Sequence, residues 1–362
     1  MNCQPLPITT NSIAIPPEFA QILPQKTANS IAREFVFNSI NNFLNRYHRG
    51  YFTIVGSPGS GKSTILARYV AENPEVFYYS ATVKGKNRAD EFLKTISTQL
   101  EVVNGTSLQV ILQQISDRLK PNQKFIIAID SLDAIDYSSQ AIGSNLFYLP
   151  RYLPKGIYFL LARRPFLKEE SGLLIEAPFQ YLNLKDYPEE NRQDIETYIQ
   201  QYTREFLPSP SVIQERFRIN KEEFIKQLTD RSENNFMYVS QILTAIKNGF
   251  YSENSSLTDI FNSISLPAGL EAYYQQHLTK MFPGERGDEF NSNAQAVLDI
   301  LVKNSSPISV EEIAQTIDVD EYDVEEILED WIEFLTVNQI EGKTCYSLYH
   351  ESIRNWLIQV KI

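Results

Sequence analysis

The sequence is poor in residues that form cross-links and metal sites. It contains only two cysteines, Cys3 and Cys345, which excludes both a disulfide framework and a thiolate metal site. Its three histidines, His48, His277 and His350, lack zinc-type spacing. Apolar runs of about 18 residues are missing, as is a positively charged amino-terminal segment followed by an apolar one. We therefore expect a cytoplasmic protein, neither membrane-inserted nor secreted.

Positive charge is scarce as well. The chain has 33 Lys and Arg against 45 Asp and Glu, a formal net charge of -12. A surface that binds nucleic acid needs clustered cations that release counterions from the phosphates, so this balance argues against nucleic acid as a partner. Hydrophobic residues make up 43% of the 362 residues. This content is typical of a globular protein, and the length fits two or three domains.

A glycine-rich segment is the most informative motif of the chain. It follows the apolar run 51–55 and precedes a helical pattern at 65–71, which is the context that a phosphate-binding loop requires. The segment consists of Gly56, Ser57, Pro58, Gly59, Ser60, Gly61, Lys62, Ser63 and Thr64. The alternative is a strand-to-helix turn that binds nothing, but the matching flanks favour a phosphate loop.

The residue types of this loop suit a nucleoside triphosphate. Backbone N–H groups can approach phosphate oxygens closely only where side chains are small, and the glycines provide that freedom. The helix that begins near Lys62 points its positive dipole end at the same anion. We predict that Lys62 reaches the β- and γ-phosphates and that the Ser63 hydroxyl ligates Mg²⁺.

A second part of the site is predicted around Asp130. The apolar run 125–130 ends in this acid and has the composition of a buried parallel strand. We expect that strand to lie beside the phosphate loop, so that Asp130 holds Mg²⁺ through water. Two roles stay open for the nearby Asp133. It either acts in catalysis, by polarising the attacking water or by supporting the metal shell, or it caps the next helix, as Asp does well.

Two arginines end another apolar run, at 158–162. If that strand lies next to the Asp130 strand, a guanidinium lies near the γ-phosphate and senses it. We favour Arg164 over Arg163 as this sensor. The alternative is a pair of solvated charges at the end of a strand.

In the first half of the chain, apolar runs typical of strands alternate with helical patterns. Such alternation predicts parallel strands joined by crossover helices, hence a three-layer α/β domain. Strands are predicted at 51–55, 76–80, 125–130, 158–162 and 180–184, and helices at 88–100, 106–119, 134–148 and 189–206.

Helical patterns dominate the rest of the chain. An all-helical region is followed by three helices, a hairpin at 337–348 and a last helix at 351–360, an order that predicts a winged helix. The helices before the hairpin are predicted at 210–228, 235–248, 256–263, 268–281, 294–303, 309–316 and 322–335. We therefore expect a Pro-rich extended arm at 1–28, a P-loop NTPase domain at 29–187, a helical domain at 188–290 and a winged helix at 291–362.

Together these motifs resemble the STAND class of signal-transduction NTPases, particularly its NACHT-type members. Residues 129–134 are similar to the family's Asp-small-hydrophobic-Asp-Glu motif, with Ala134 where a glutamate is commonest. Residues 162–165 are similar to the family's Thr-Ser-Arg-Pro, which makes Arg164 the matching sensor. The missing glutamate implies slow hydrolysis.

The resemblance implies further roles elsewhere in the chain. Arg33 belongs to a segment similar to the family's Gly-Arg-Glu, which borders the adenine, although Ala32 replaces the glycine. Residues 233–238 resemble the Gly-Asn-Phe-Leu-Tyr segment of NACHT-WD-repeat proteins. His350 matches a winged-helix histidine that contacts the β-phosphate in the ADP-bound state. The alternative for His350 is a purely structural hydrogen bond.

The function implied by this resemblance is that of a switch. Such a protein binds ATP or ADP with Mg²⁺, stays closed with ADP, hydrolyses ATP slowly and forms homo-oligomers with ATP. Further expected partners are an unidentified effector or sensor protein, with no membrane partner. The choice of ATP over GTP follows only from the resemblance.

The competing class is a DNA-associated ATPase of the origin-recognition type, because such proteins also combine a P-loop domain with a winged helix. Residues 318–333 hold nine acids and no Lys or Arg, on what would be the recognition helix. Phosphate groups would repel such a helix. We therefore favour the switch over a DNA-binding ATPase.

Overall fold

The computed structural model describes residues 16–99, 107–166, 172–206, 219–247, 268–282, 288–304 and 306–360. Contacts divide the chain into two compact units. The first unit contains a parallel sheet and runs to Glu190. The second unit begins at Asn191 and also takes in the loop residues Ser57–Ser60.

A five-stranded sheet forms the centre of the first unit. All of its pairings are parallel, and the order across the sheet is β2-β3-β4-β1-β5. The first four strands are buried along their whole length, as expected for a parallel sheet covered by helices, whereas β5 is a partly exposed edge. The predicted strands are confirmed to within one residue at each end. They are β1 (Gly50–Val55), β2 (Phe77–Ser80), β3 (Phe125–Asp130), β4 (Ile157–Arg163) and β5 (Phe179–Asn183).

Amphipathic helices supply the rest of this unit's core. In Glu34–Arg46, for example, the buried residues Val36, Ile40, Phe43 and Leu44 recur at helical intervals and so share one face. The helices are α1 (Pro17–Ala20), α2 (Ile22–Thr27), α3 (Glu34–Arg46), α4 (Lys62–Glu72), α5 (Ala89–Gln99) and α6 (Leu108–Arg118). A longer helix, α7 (Pro188–Phe206), follows the sheet.

The helix predicted at 134–148 is wrong. Phe147 has a φ of 54°, a left-handed conformation that ends helical geometry. The segment instead forms three short 3₁₀ turns, at Leu132–Ala134, Tyr137–Ser139 and Leu146–Tyr148. The proposed role of Asp133 as the cap of that helix is therefore wrong as well.

The amino-terminal segment is packed rather than extended. Phe19 is fully buried and Leu23 nearly so, each in a short helix. Pro17 lies at the start of α1, where the missing N–H of proline has no helical acceptor to lose. The prediction of an extended arm at 1–28 is therefore wrong for residues 17–27. Residues 1–15 lie outside the described part of the chain.

The second unit is built mainly from helices. After α7 these are α8 (Lys221–Ser232), α9 (Phe236–Lys247), α10 (Ala268–Met281), α11 (Asp288–Lys303), α12 (Val310–Ile317), α13 (Glu321–Asp330) and α14 (Glu351–Gln359). The predicted helix at 256–263 and the first part of the one at 210–228 lie outside the described residues. No helix in the described ranges combines the length and apolarity needed to cross a bilayer.

A small antiparallel sheet completes this unit. Its strands are β6 (Ile308–Ser309), β7 (Leu335–Ile340) and β8 (Lys343–Leu348), in the order β6-β8-β7. The turn between β7 and β8 contains Gly342 at a φ of +81°, which suits glycine. With α11, α12 and α13 before this hairpin, the predicted fold class is confirmed: an α/β P-loop NTPase with a parallel three-layer sheet, followed by helices and a winged helix.

One apolar cluster runs through the second unit. It includes Ile195 and Leu228 of the expected helical domain and Val297 and Trp356 of the expected winged helix. The described residues on the two sides of position 290 therefore share one core. The division into a helical domain and a winged-helix domain at this position remains a prediction.

Candidate functional site

The glycine-rich segment forms the loop between β1 and α4. Gly59 and Gly61 have φ values of +81° and +89°, which non-glycine residues adopt only with strain. Lys62 begins α4, and its Nζ donates to the carbonyl oxygen of Gly56 at 2.6 Å. Thr64 lies in the first turn of the same helix. The loop therefore has the backbone form, helix start and lysine position that an oxyanion site needs.

The loop is fastened internally and to the neighbouring strand. The N–H of Ser60 donates to the carbonyl oxygen of Ser57 at 3.2 Å, which closes a turn within the loop. The N–H of Gly56 donates to the carbonyl oxygen of Arg163 at 3.4 Å, at the end of β4. These bonds hold the loop against the end of β4.

Asp130 ends β3, two places away from β1 in the sheet. Its strand, β3, does not lie beside the phosphate-loop strand, because β4 lies between the two. The site still forms, because parallel strands end at the same edge of the sheet. Ser63 Oγ donates to Asp130 Oδ1 at 2.8 Å, which joins the loop helix to the end of β3.

Asp130 is surrounded by donors. Its side chain is fully buried, and its Oδ2 atom accepts from Lys26 Nζ at 2.5 Å. The hydroxyls of Tyr78 and Ser80 lie 3.4 and 3.5 Å from the same oxygen. Burial, together with the Asp130 carboxylate, raises the pKa of Tyr78 far above its usual range, so its hydroxyl remains a donor. The carboxylate is thus held by hydrogen bonds and by one ammonium group.

The oxygens of Ser63 and Asp130 fit Mg²⁺. A hydroxyl and a carboxylate, 2.8 Å apart at the start of a helix, are the hard oxygen donors that this ion prefers. Mg²⁺ usually needs only one or two protein ligands, because phosphate oxygens and waters complete its shell. When bound, it would neutralise charge on the phosphates.

Asp133 and Arg164 meet at the ends of β3 and β4. Asp133 Oδ1 accepts from the backbone N–H of Arg164 at 2.9 Å, and Oδ2 lies 3.4 Å from the Arg164 Nε. Arg163, by contrast, is almost fully buried, and burial lowers the pKa of its guanidinium. As the sequence suggested, their strand neighbours the Asp130 strand. The sensor role of Arg164 and the catalytic role of Asp133 remain predictions.

Arg33 lies at the start of α3, where its side chain is almost fully buried. Its guanidinium lies 5.2 Å from the ring centroid of Phe35, and that ring lies 5.0 Å from the ring of Tyr187. The predicted place of Arg33 beside the adenine remains a prediction.

Two loop carbonyls are bonded within the second unit. Asn235 Nδ2 donates to the carbonyl oxygen of Pro58 at 3.1 Å, and the N–H of Met237 donates to that of Gly59 at 3.1 Å. The Asn235 side chain also accepts from the N–H of Tyr238, which caps α9. The sequence marked residues 233–238 by resemblance but did not place Asn235 at the loop.

His350 is almost fully buried in the second unit. Its Nε2 donates to the carbonyl oxygen of Ser232 at 2.8 Å, and its ring lies 4.9 Å from that of Tyr238. Burial lowers its pKa to about 4, so the imidazole is neutral at physiological pH. This geometry provides the structural hydrogen bond considered as the alternative. The predicted contact with the β-phosphate remains a prediction.

Sequence reasoning missed Lys26 at the site entirely. It was assigned to the proline-rich arm, and no motif surrounds it. Lys26 and Asp130 are 104 positions apart, so only the packing of the amino-terminal helices brings them together.

Comparison with known families supports the interpretation of the phosphate loop and Asp130 as a nucleotide site. Residues 45–167 match a family model described as an AAA domain. No curated protein matches the chain.

Solved structures offer distant similarities. The chain is similar to Drosophila ORC bound to DNA, with 12% identity over 94% of this chain and 98% of that one and a TM-score of 0.42. It is also similar to the Aeropyrum pernix ORC2 protein, solved as ADPNP-ADP complexes, with 14% identity over 91% of this chain and 92% of that one and a TM-score of 0.45. A third similar structure is a STAND protein with a tetratricopeptide repeat sensor from Pyrococcus horikoshii. The identity is 16% over 89% of this chain and 42% of that one, and the TM-score is 0.36. This chain thus spans less than half of the length of the STAND protein.

The matched range contains the phosphate loop, Asp130 and Arg164. Residues 45–167 are therefore a P-loop NTPase domain of the AAA type.

Proposed function

We propose that this chain is a nucleotide-dependent molecular switch of the STAND type. It binds ATP or ADP with Mg²⁺, stays closed with ADP, and self-associates or signals when ATP replaces ADP. The observation that carries the nucleotide site is the bond between Ser63 and Asp130 at the start of α4, beside the left-handed Gly61. It places a hydroxyl and a carboxylate at the start of a helix, whose positive dipole end attracts anions.

Nucleotide binding follows from the loop's own groups. Backbone N–H groups and the dipole of the eleven-residue helix α4 attract the phosphates. Lys62 exchanges its bond to the Gly56 carbonyl for bonds to phosphate oxygens, which are stronger because both partners are charged. Ser63 and Asp130 would hold the metal, which would neutralise charge on the phosphates.

Slow hydrolysis is supported by the surroundings of Asp133. Both of its oxygens face Arg164, one at the backbone N–H and the other near the guanidinium. Ala134, the next residue, offers no carboxylate to polarise a water molecule. A site that binds tightly and turns over slowly suits a switch better than a metabolic enzyme.

Control of the second unit is supported by the bonds around Asn235. The turn that holds the Pro58 and Gly59 carbonyls lies directly after Ser232, whose own carbonyl is held by His350. A ligand that moves the loop carbonyls changes these bonds. Reversing a 1:99 population to 99:1 takes about 5.5 kcal/mol of differential binding, which a few charge-assisted contacts supply.

A DNA-associated ATPase of the origin-recognition type is the alternative. Helix α13 buries Val324, Ile327 and Leu328, and its remaining side chains are mainly acidic. As a recognition helix it would bring negative charge to DNA. Duplex DNA binding that weakens with salt would favour this alternative, and we expect none.

The proposal is tested on the purified chain. We expect a co-purifying purine nucleotide, a small species with ADP and a larger one with a non-hydrolysable ATP analogue in light scattering. Lys62→Ala should weaken binding of fluorescent ADP by about 10- to 100-fold, because charge-assisted bonds are lost. The exposed Lys84 supplies the control variant Lys84→Ala, which should bind like wild type. Equal binding by Lys62→Ala and wild type would overturn the nucleotide site, and equal sizes with both nucleotides would overturn the switch.

A further inference from the structure

An ammonium group lies on the carboxylate that is expected to hold the metal. Lys26 belongs to α2, and its Nζ lies 2.5 Å from Asp130 Oδ2 and 3.4 Å from the Tyr78 hydroxyl. The Asp130 side chain is 1% exposed, whereas that of Lys26 is 21% exposed. A buried carboxylate needs a cation or donors to offset its lost hydration, and Lys26 is the cation that this structure provides.

Packing fixes Lys26 in this position. Phe19, in the preceding helix, lies against the rings of Tyr78 and Tyr79 at 5.9 and 5.2 Å. On the other side of Lys26, the carbonyl oxygen of Ser30 accepts from Arg68 Nη1 at 2.6 Å. The chain is therefore anchored both before and after Lys26, so the ion pair is part of the packed first unit.

Lys26 and a divalent ion need the same carboxylate. Ser63 bonds to Oδ1 of Asp130, while Lys26 occupies Oδ2. Two cations at one buried carboxylate repel each other strongly, because little solvent screens them. The ammonium must therefore withdraw, or weaken its contact, when the metal arrives. Because its side chain is partly exposed, the Lys26 ammonium can turn toward solvent on its flexible stem.

We propose that Lys26 competes with the divalent cation for Asp130 and so sets the metal affinity of the site. This inference rests on the proposed nucleotide function. Lys26 acts on the metal only through Asp130, whose carboxylate it holds in position. Lys26 stabilises the metal-free protein. Metal binding then requires the Lys26 ammonium group to release Asp130.

The test measures metal binding directly. Mn²⁺ replaces Mg²⁺ because its free and bound forms differ in electron paramagnetic resonance, and ADP is kept saturating. Lys26→Met should bind Mn²⁺ about tenfold more tightly than wild type, because a competing charged contact is gone. Lys26→Arg keeps the charge and should remain close to wild type.

A matched control separates competition from loosening of the amino-terminal helices. Lys86 pairs with Glu18 of α1 at 3.2 Å and has no described contact with Asp130. Lys86→Met should therefore leave Mn²⁺ affinity unchanged. Thermal unfolding gives a second readout: Lys26→Met should unfold at a lower temperature in EDTA, and Mg²⁺ with ADP should restore more stability to it than to wild type.

The outcomes separate the two proposals. If wild type binds ADP with Mn²⁺ but Lys26→Met has the same or weaker Mn²⁺ affinity, the competition is overturned and the nucleotide site stands. If wild type binds no ADP, both are overturned. If Lys26→Met does not fold, Lys26→Gln, a neutral donor to Asp130, replaces it, and an unchanged affinity in that variant also overturns the competition.

Discussion

Asp133 holds Arg164 at two points: one carboxylate oxygen accepts from its backbone N–H at 2.9 Å, and the other lies 3.4 Å from its Nε. Less than a fifth of either side chain is exposed. The pair therefore joins the segments that follow β3 and β4, where Asp133 and Arg164 lie.

We expect the two residues to be energetically coupled. A double-mutant cycle with Asp133→Ala and Arg164→Ala should give a coupling energy of about 1 kcal/mol in urea unfolding, because solvent screens the pair only partly. The exposed pair Arg151 and Glu176, 3.7 Å apart, is the control and should give almost none. Additive effects at Asp133 and Arg164 would show that the two side chains do not stabilise each other.

Introducing a glutamate at position 134 should accelerate hydrolysis. Ala134→Glu places a carboxylate in the 3₁₀ turn next to Asp133, where it can polarise water. We expect phosphate release in single turnover to rise by about 100-fold, the lower end of general-base contributions. Ala134→Gln has the same size without the charge and should stay slow. A glutamate variant no faster than the glutamine variant would refute the explanation for slow turnover.

Gly59 in the phosphate loop and Gly85 outside it are both left-handed and offer a matched comparison. A Cβ at Gly59 would lie 2.3 Å from the Asn235 Oδ1, whereas one at Gly85 would meet nothing within 4 Å. Their φ values, +81° and +79°, are nearly equal. Gly85→Ala should therefore cost about 1 kcal/mol of unfolding free energy through backbone strain alone. Gly59→Ala should cost more and also weaken ADP binding. Similar losses in both variants would show that Asn235 does not restrict the loop.

Stability should fall in acid because of His350. Its pKa is about 4 in the folded protein, against 6.5 ordinarily. Between these values the unfolded chain binds a proton that the folded chain does not. The free energy of unfolding therefore decreases as the pH falls from 6.5 to 4, by up to about 3 kcal/mol. The contribution is fully present above pH 6.5.

The matched variant for this prediction is His350→Gln, whose amide can still donate to the Ser232 carbonyl but does not titrate in this range. Urea unfolding from pH 7 to pH 4 should show a shallower loss of stability in the variant. The same slope in both proteins would mean that His350 is not buried as a neutral imidazole.

The same position tests the switch. His350→Leu removes the donor to Ser232 and should speed the release of bound ADP, while His350→Gln should retain more of it. Release of fluorescent ADP under chase with unlabelled ADP measures this. Equal rates of ADP release in wild type and His350→Leu would show that His350 does not contribute to nucleotide retention.

Local patterns were sufficient to predict much of the fold. The strands and most helices were visible because burial imposes a period of two or of 3.6 residues on neighbouring side chains. The same approach was wrong where local signals conflicted with packing. Prolines near residue 17 suggested an extended arm, although proline fits the first turn of a helix and the buried Phe19 supplies the packing energy.

The sequence alone determined the phosphate loop, because glycine conformation, the lysine and the helix start are properties of adjacent residues. Tertiary structure decided what surrounds it. The order of the strands put β4 between β1 and β3, and it brought Arg164 to Asp133. Packing likewise brought Lys26 to Asp130 across 104 positions and Asn235 to Pro58 across 177. Side-chain periodicity records which face of an element is buried but not which distant element covers it, so these partners were set only when the chain folded.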